Sequence, residues 1–250
     1  MKNKILQTLS LLIVCFLALP SKAQLLIDVE SGLLSTGYND VRISGDKGTL
    51  FSLKDDLDAK PNAFYRIRAN YKIKSRHTLS LLYAPLETKA DGSISKDILF
   101  EGVLFPANTK LDGTYQFNSY RLTYRYDIVS KPKIKVGLGF TAKIRDAKIS
   151  LASDNLYSEK TNVGFVPIVN FRIWWKMNEK FGLLLDGDAL AAPQGRAEDV
   201  LLAATYKLNR NIGLRAGYRI LEGGADNDRV YNFSLFHYAS LGVSYTFNKK

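Results

Sequence analysis

The segment 120–126 alternates large apolar side chains with polar or charged ones at every residue. Its two phases are Tyr120, Leu122, Tyr124 and Tyr126 against Arg121, Thr123 and Arg125. Because successive side chains of a β-strand point to opposite faces, this pattern predicts a strand with one apolar and one charged face. The same alternation recurs along the chain, so we expect an all-β fold whose sheet has two chemically different faces.

The alternation is cleanest in five segments: 65–73, 120–126, 134–144, 163–175 and 212–220. No residue of the apolar phase in these segments is charged. The other phase holds many basic residues: Arg66, Arg68, Lys72, Arg121, Arg125, Lys135, Lys143, Arg172, Arg215 and Arg219. A Lys or Arg that faces lipid at the bilayer midplane costs about 2–4 kcal/mol, so a phase free of charge is typical of a lipid-facing surface.

Residues 1–23 are predicted to be a secretory signal peptide, which leaves 24–250 as the folded domain. Lys2 and Lys4 give a basic start, 5–19 form an apolar stretch, and 21–23 read small-x-small. The single cysteine, Cys15, lies in this segment, so no disulfide, thiolate metal site or cysteine nucleophile is expected in the mature chain.

The chain carries a formal net charge of +11, and its basic residues are spread along the strands. Together with the secretion signal, this favours outer-membrane lipid and lipopolysaccharide as partners and argues against nucleic acid. The sequence contains no Gly-rich phosphate loop and no zinc-ligand spacing, so no sequence motif predicts a cofactor or a metal site.

We predict ten strands, with eight or twelve as alternatives. Their ranges are 25–36, 63–74, 77–88, 114–127, 134–149, 162–177, 181–191, 199–208, 212–221 and 230–247. Short connections alternate with longer ones over 37–62, 89–113, 152–161, 192–198 and 222–229, and 97–104 is long enough to add a hairpin or an extra strand. Short periplasmic turns and long outer loops are typical of outer-membrane barrels, and an even strand count places both termini in the periplasm.

The fold class predicted is therefore a single antiparallel transmembrane β-barrel, because only a closed barrel satisfies strand backbones in lipid. A soluble barrel with its apolar face inside would also alternate. The aromatic residues near the strand ends favour the membrane, where such rings form belts at headgroup level.

The last strand carries Leu241, Val243, Tyr245 and Phe247 in one phase. It resembles the C-terminal strand of bacterial outer-membrane proteins, which usually ends on the aromatic residue itself. The resemblance implies that Val243, Tyr245 and Phe247 are recognised by the outer-membrane assembly machinery. The whole pattern resembles the small bacterial outer-membrane β-barrel superfamily, which includes OmpA-type anchors, OmpW-type proteins and omptin-like enzymes.

The polar phase predicts the residues that face the lumen. Its charge network comprises Asp28, Glu30, Arg66, Arg68, Arg121, Arg125, Lys143, Arg172, Asp186, Asp188, Arg215 and Arg219, with Asp127 beside them. Side chains nearly fill the interior of an eight-stranded barrel, and ten strands enclose only modestly more space. We therefore expect salt-bridged layers that close the lumen, with Asp28 and Glu30 facing Arg66 and Arg68. The basic excess supports an alternative, a narrow anion-preferring channel.

His237 and Ser240 resemble the base and nucleophile of lipid A deacylase barrels. That family has His-x-Ser, whereas this chain has His-x-x-Ser, which puts the two side chains on opposite faces unless a bulge intervenes. The alternative is that His237 belongs to the outer aromatic belt.

Asp226 and Asp228 are predicted in the fifth outer loop, with Glu198 and Asp199 at the end of the fourth, where the predicted strand 199–208 begins. If these carboxylates converged with His237, they would resemble the rim carboxylates of omptin-like proteases. The alternatives are that they bind calcium or that they only stabilise turns. The function favoured by the sequence is a non-enzymatic outer-membrane barrel with a charged, mostly plugged lumen and ligand-facing outer loops. A surface enzyme acting on lipid A or peptides and a narrow anion channel remain as alternatives.

Overall fold

The computed structural model describes residues 24–193 and 195–247, so the predicted signal peptide lies outside the described residues. These residues form fifteen strands and one short 3-10 turn, Gly45–Lys47. The strands are β1 Gln24–Arg42, β2 Phe51–Ser52, β3 Asp58–Ala59, β4 Asn62–Lys74, β5 His77–Ala84, β6 Glu87–Ser93, β7 Ile98–Phe100, β8 Val103–Phe105, β9 Lys110–Ser130, β10 Ile134–Ala152, β11 Tyr157–Lys176, β12 Phe181–Ala192, β13 Gly195–Lys207, β14 Ile212–Asn227 and β15 Val230–Phe247.

Ten of these strands close into an antiparallel barrel in the order β1, β4, β5, β9, β10, β11, β12, β13, β14 and β15. The last strand pairs with the first, from Leu25 opposite Phe247 to Arg42 opposite Tyr231. The predicted ten-stranded antiparallel barrel is thus confirmed. Because the strand number is even, both ends of the barrel segment lie at one rim, which we call the terminal end; the opposite rim is the distal end.

The strands extend further toward the distal end than the sequence predicted. The predicted loops over 152–161, 192–198 and 222–229 are wrong, because β10 to β15 continue through most of these residues and leave connections of only a few residues. Glu198 and Asp199 lie in β13 and Asp226 lies in β14. The polar side chains of Glu198 and Asp226 suggested loops because a strand surrounded by water carries polar residues on its outward face, as a loop does. Asp199, in contrast, faces inward and is buried.

Strand β9 shows that the two faces of the barrel exchange character along its length. Near the distal end the outward residues are polar, as at Asp112 and Gln116, and the inward residues Leu111 and Tyr115 are buried. From Tyr120 onward the outward residues are apolar and the inward residues are polar or charged. We call the part with a polar interior the terminal region and the part with an apolar interior the distal region.

Aromatic side chains mark the boundary between these regions. Tyr83 stacks on Tyr120 with ring centroids 5.2 Å apart and contacts Tyr65 at 6.2 Å, all three on the outward face. Tyrosine rings at this level are typical of a membrane–water interface. Residues 24–193 and 195–247 contain no helix with the length and hydropathy needed to cross a membrane.

The first two distal connections fold into the barrel mouth. Segment 43–61 contributes β2, which pairs with β1, and segment 94–109 contributes the hairpin β7–β8. The predicted short hairpin near 97–104 is confirmed. Phe51, Phe100 and Phe105 are at most 2% exposed and pack against inward residues of the barrel such as Leu151 and Phe236. We call segments 43–61 and 94–109 the distal plug.

Candidate functional site

Asp199 lies at the centre of the lumen, where three arginines from three other strands converge on its carboxylate. Arg66 Nη2 and Arg121 Nη2 lie 2.7 and 2.6 Å from Oδ2, and Arg219 Nη1 donates a hydrogen bond to Oδ1. All four side chains are buried. Because β4 and β9 lie on the opposite side of the barrel from β13, these contacts fasten the two walls together across the lumen.

Glu30 forms the second centre of this network. Arg219 donates to it twice, from Nε at 2.8 Å and from Nη2 at 2.9 Å. Arg215 Nη2 donates at 2.9 Å and Ser240 Oγ donates at 2.8 Å. Each carboxylate oxygen therefore accepts at least two hydrogen bonds, which is what a buried carboxylate requires.

In the β1–β4 register Asp28 lies opposite Arg68 and Glu30 lies opposite Arg66, so the residues expected to face one another are on adjacent strands. They are nevertheless not the closest ion-pair partners. Asp28 pairs with Arg215 of β14, and the two arginines of β4 reach carboxylates on the far side. An inward arginine in a narrow lumen is long enough to reach strands that are not its neighbours, so register alone does not determine its partner.

Arg121 also lies between two acidic residues and contacts both of them. Asp188 and Asp199 are direct partners in the β12–β13 register, and like charges in that position repel. The guanidinium places Nη1 2.6 Å from Asp188 and Nη2 2.6 Å from Asp199. Thr141 and Asn170 donate to the other oxygen of Asp188 at 2.7 and 2.9 Å.

We call Glu30, Arg66, Arg121, Asp188, Asp199 and Arg219 the charge layer. Lys143 lies above it, buried, with Nζ 4.5 Å from the centre of the Phe117 ring in a cation–π contact. A cavity of about 10 Å³ adjoins the layer and is lined in part by Arg66, Phe117 and Tyr238. That volume is about the minimum needed for one water molecule.

On the terminal side of the charge layer the lumen opens into a cavity of about 690 Å³, which we call the vestibule. Residues of the terminal-end turns line its mouth, and Glu30, Arg66 and Arg219 line its inner end. Arg68, Arg125, Arg172, Asp127 and Asp186, all predicted to face the lumen, line its walls.

The predicted deacylase-like pair is not assembled. His237 faces outward on β15, stacks on Tyr218 with ring centroids 5.9 Å apart, and shares a hydrogen bond with the Tyr218 hydroxyl. Ser240 faces inward and donates to Glu30. The two side chains therefore lie on opposite faces of an unbulged strand segment.

The predicted rim carboxylates also stay apart from His237. Asp226 is exposed at the end of β14, and Asp228 lies in the turn after it. Asp226 pairs with Tyr231, six residues from His237 along β15, which corresponds to roughly 20 Å. The other histidine, His77, lies at the terminal end, where Nδ1 is 2.8 Å from the Tyr124 hydroxyl.

The central role of Asp199 was missed, because 199–204 reads Asp-Val-Leu-Leu-Ala-Ala, with both phases apolar after the carboxylate. Such a segment shows no inward phase, so Asp199 looked like the end of a loop. The sequence did contain one signal, the spacing of Asp199 from Asp186 and Asp188. If the two strands form a short hairpin, this spacing places all three carboxylates on one side of the sheet.

A partly buried ion pair joins the distal plug to the barrel rim. Glu101 begins the two-residue turn of the β7–β8 hairpin, where Glu101 and Gly102 both have positive φ, as a type I′ turn requires. Lys160 Nζ and Ser44 Oγ donate to its carboxylate at 2.6 and 2.9 Å. Burial by itself would raise the pKa of Glu101, but these two hydrogen bonds outweigh it and hold the pKa below its ordinary value.

The residues predicted to guide assembly lie on the outward face of the final strand. Val243, Tyr245 and Phe247 are exposed and pair with Val29, Ile27 and Leu25 of β1, along the seam that closes the barrel.

No protein-family model and no curated protein sequence matches the chain. Among solved structures, the outer-membrane protease OmpT from Escherichia coli is similar with a TM-score of 0.59 at 11% identity, over 90% of this chain and 97% of OmpT. An outer-membrane channel from Pseudomonas putida F1 gives 0.43 at 12% identity, over 92% and 97% of the two chains. Ail of Yersinia pestis, in complex with the heparin analogue sucrose octasulfate, gives 0.42 at 12% identity, over 89% and 99%. At such identities the likeness concerns the fold alone, and the chain has the fold of the small bacterial outer-membrane β-barrels.

Proposed function

We propose that the protein is a non-enzymatic outer-membrane barrel whose lumen is closed to through-passage of solutes. The observation that carries this proposal is the presence of two successive barriers, the charge layer and the distal plug. Each is buried and internally bonded or packed. A solute crossing the barrel would have to break both.

In this proposal the apolar outward band of the terminal region contacts lipid, and the polar outward face of the distal region meets lipopolysaccharide and water. The short turns of the terminal end face the periplasm, as in barrels of this fold, so both termini are periplasmic. The outer-membrane assembly machinery would recognise β15 through Val243, Tyr245 and Phe247. Because the long loops bury their apolar side chains, surface ligands would contact the distal strand ends and the solvent-exposed residues of the plug.

Conductance in planar lipid bilayers tests the closure. We expect the unmodified barrel to insert without stable open steps. A variant that carries Arg121→Ala and Asp199→Ala opens only the charge layer, and replacement of 94–109 by a short Gly-Ser linker opens only the plug. We expect conduction only when both changes are combined, with folding checked by heat-modifiable gel mobility.

The same recordings test the narrow anion channel, which the basic lining of the vestibule favours. Stable, anion-selective steps from the unmodified protein, reduced by Arg125→Ala, would establish that channel and overturn the closed barrel. Enzymatic function has no comparable support, since His237 is separated from both Ser240 and Asp226.

A further inference from the structure

The vestibule has the size and shape of a ligand site. Its volume of about 690 Å³ lies within the range of small-molecule pockets. Pro132, Asn178 and Lys180 of the turns line its mouth, and the charge layer forms its inner end. It is therefore a pocket reached from one side of the barrel.

Three arginines in the wall of the vestibule are paired with a single carboxylate, at distances too long for hydrogen bonds. Arg68, Arg125 and Arg172 approach Asp186 at 3.4, 3.8 and 3.7 Å. Hydrogen bonds between N–H and O are about 2.7–3.2 Å long, and the arginine contacts of Asp199 are no longer than 2.7 Å, so the contacts of Asp186 are ion pairs without hydrogen bonds. The charge layer a few residues away shows that the same barrel forms close contacts where its charges balance.

The shortage of hydrogen-bond acceptors is clearest at Arg125. It is 6% exposed, and its Nε and Nη1 have no hydrogen-bond acceptor within the part of the chain that the structure describes. The nearest other carboxylate, Asp127, is 3.9 Å from Nε. Lys72 and Lys135 line the same cavity and increase its positive charge. Buried donors without acceptors are costly, and a planar carboxylate matches the fork of donors that a guanidinium presents.

A second part of the vestibule wall is apolar. Leu184 and Leu201 are buried in contact with each other, and Trp174 packs against them. All three line the cavity, from β11, β12 and β13. The cavity thus offers a cationic surface and an apolar surface within one volume.

We propose that the vestibule binds an amphipathic carboxylate. Its carboxylate accepts hydrogen bonds from Arg68, Arg125 and Arg172, and its apolar body lies against Trp174, Leu184 and Leu201. This site is independent of whether the barrel conducts, so it goes beyond the proposed closure and is tested separately.

The chain contains two tryptophans, and their positions allow a direct assay. Trp174 lines the vestibule, whereas Trp175 is exposed on the outward face. In a Trp175→Phe background the remaining indole reports on the cavity. The probe is 4-nitrobenzoate, which quenches tryptophan fluorescence, and its uncharged counterpart is 4-nitrobenzyl alcohol. With the folded barrel in dodecyl maltoside, we expect saturable quenching by the carboxylate at concentrations about tenfold or more below those needed for the alcohol, since a charged hydrogen bond contributes at least that factor.

Arg125→Met retains side-chain length and removes the charge, and we expect it to weaken 4-nitrobenzoate binding about tenfold or more. Arg172→Met, at the less buried member of the cluster, serves as a second variant if the first does not fold. Arg145→Met is the matched control, because Arg145 is bonded to Asn162 in the distal region and should leave the affinity unchanged.

Unsaturable quenching, equal affinity for the two probes, or unchanged affinity in both folded arginine variants would overturn the site. An open channel that still binds the probe would overturn the proposed closure and leave the site intact. A closed barrel that does not bind it would do the reverse.

Discussion

The terminal and distal regions are built from the same ten strands, yet their chemistry is reversed. In the terminal region the outward face is apolar and the interior holds ion pairs, as around Asp199. In the distal region the outward face is polar and the interior is a core of Leu, Ile and Phe side chains. The exchange takes place within single strands such as β9. The comparison teaches that what surrounds each part of the barrel determines which face of a strand is apolar.

The two interiors are also stabilised by different forces. The distal core gains free energy by removing apolar surface from water, as a soluble domain does. The terminal interior depends on charges that compensate one another, and such a network is sensitive to the loss of any one member. Substitutions at matched positions in the two regions therefore test whether the distinction is real.

The largest effect is expected from Asp199→Ala. The change leaves Arg66, Arg121 and Arg219 without their shared carboxylate. Breaking a buried ion pair costs about 3–5 kcal/mol, and we expect the upper part of that range because three guanidinium groups are affected. Urea unfolding of the refolded barrel in detergent measures it. Asp58→Ala, which removes an exposed pair with Lys60, is the control and should cause no measurable change. Equal midpoints for the two variants would contradict the central role of Asp199.

Phe100→Ala should have the next largest effect, confined to the distal region. Phe100 is fully buried in the plug, and truncation of a buried Phe costs about 3–5 kcal/mol. We expect the lower part of that range, because a two-stranded hairpin can shift to fill part of the space more easily than a barrel strand can. Amide exchange should show lost protection within 94–109 while the terminal region stays protected. Leu104→Ala lies on the same hairpin but is 54% exposed, so it should change neither the free energy of unfolding nor the amide protection of 94–109. Loss of protection throughout the barrel would mean that the two regions do not act separately.

A pair of substitutions on β9 tests the exchange of faces directly. Leu122 and Gln116 both point outward, on either side of the boundary. Leu122→Arg places a charge in the apolar band and should cost about 2–4 kcal/mol at most, less if the residue lies away from the midplane. Gln116→Arg places the same charge among polar residues and should be nearly neutral. Refolding yield and urea midpoints in lipid vesicles measure both. Equal effects would show that lipid does not surround the terminal region.

The same comparison explains which parts of the fold could be predicted. In the terminal region the apolar and charged phases are so distinct that the strands and the lumen-facing residues follow from the sequence. In the distal region the polar outward residues from Thr161 back to Tyr157 look like a loop, and this end of the predicted strand 162–177 was missed. Inward folding of the plug and the partners of each arginine depend on contacts between distant segments, which no local pattern contains.

The smallest effect is expected where the plug meets the rim, at Glu101. Because its pKa is held below the ordinary value, the folded plug binds a proton less readily than the unfolded segment. The stabilisation is therefore complete above the ordinary carboxyl pKa and is lost as the pH falls through the lowered value. The pair is partly exposed, so we expect it to contribute about 1 kcal/mol or less.

A spin label attached through Leu104→Cys measures this effect, because the only native cysteine, Cys15, lies in the predicted signal peptide. We expect the label to become more mobile as the pH falls through the lowered pKa of Glu101, below the ordinary carboxyl range. With Glu101→Gln the mobility should be slightly higher at neutral pH and independent of pH over the same range. An identical pH response in both proteins would assign the transition to other carboxylates. The Lys160 contact would then contribute nothing to holding the plug, and its attachment would depend on the apolar core alone.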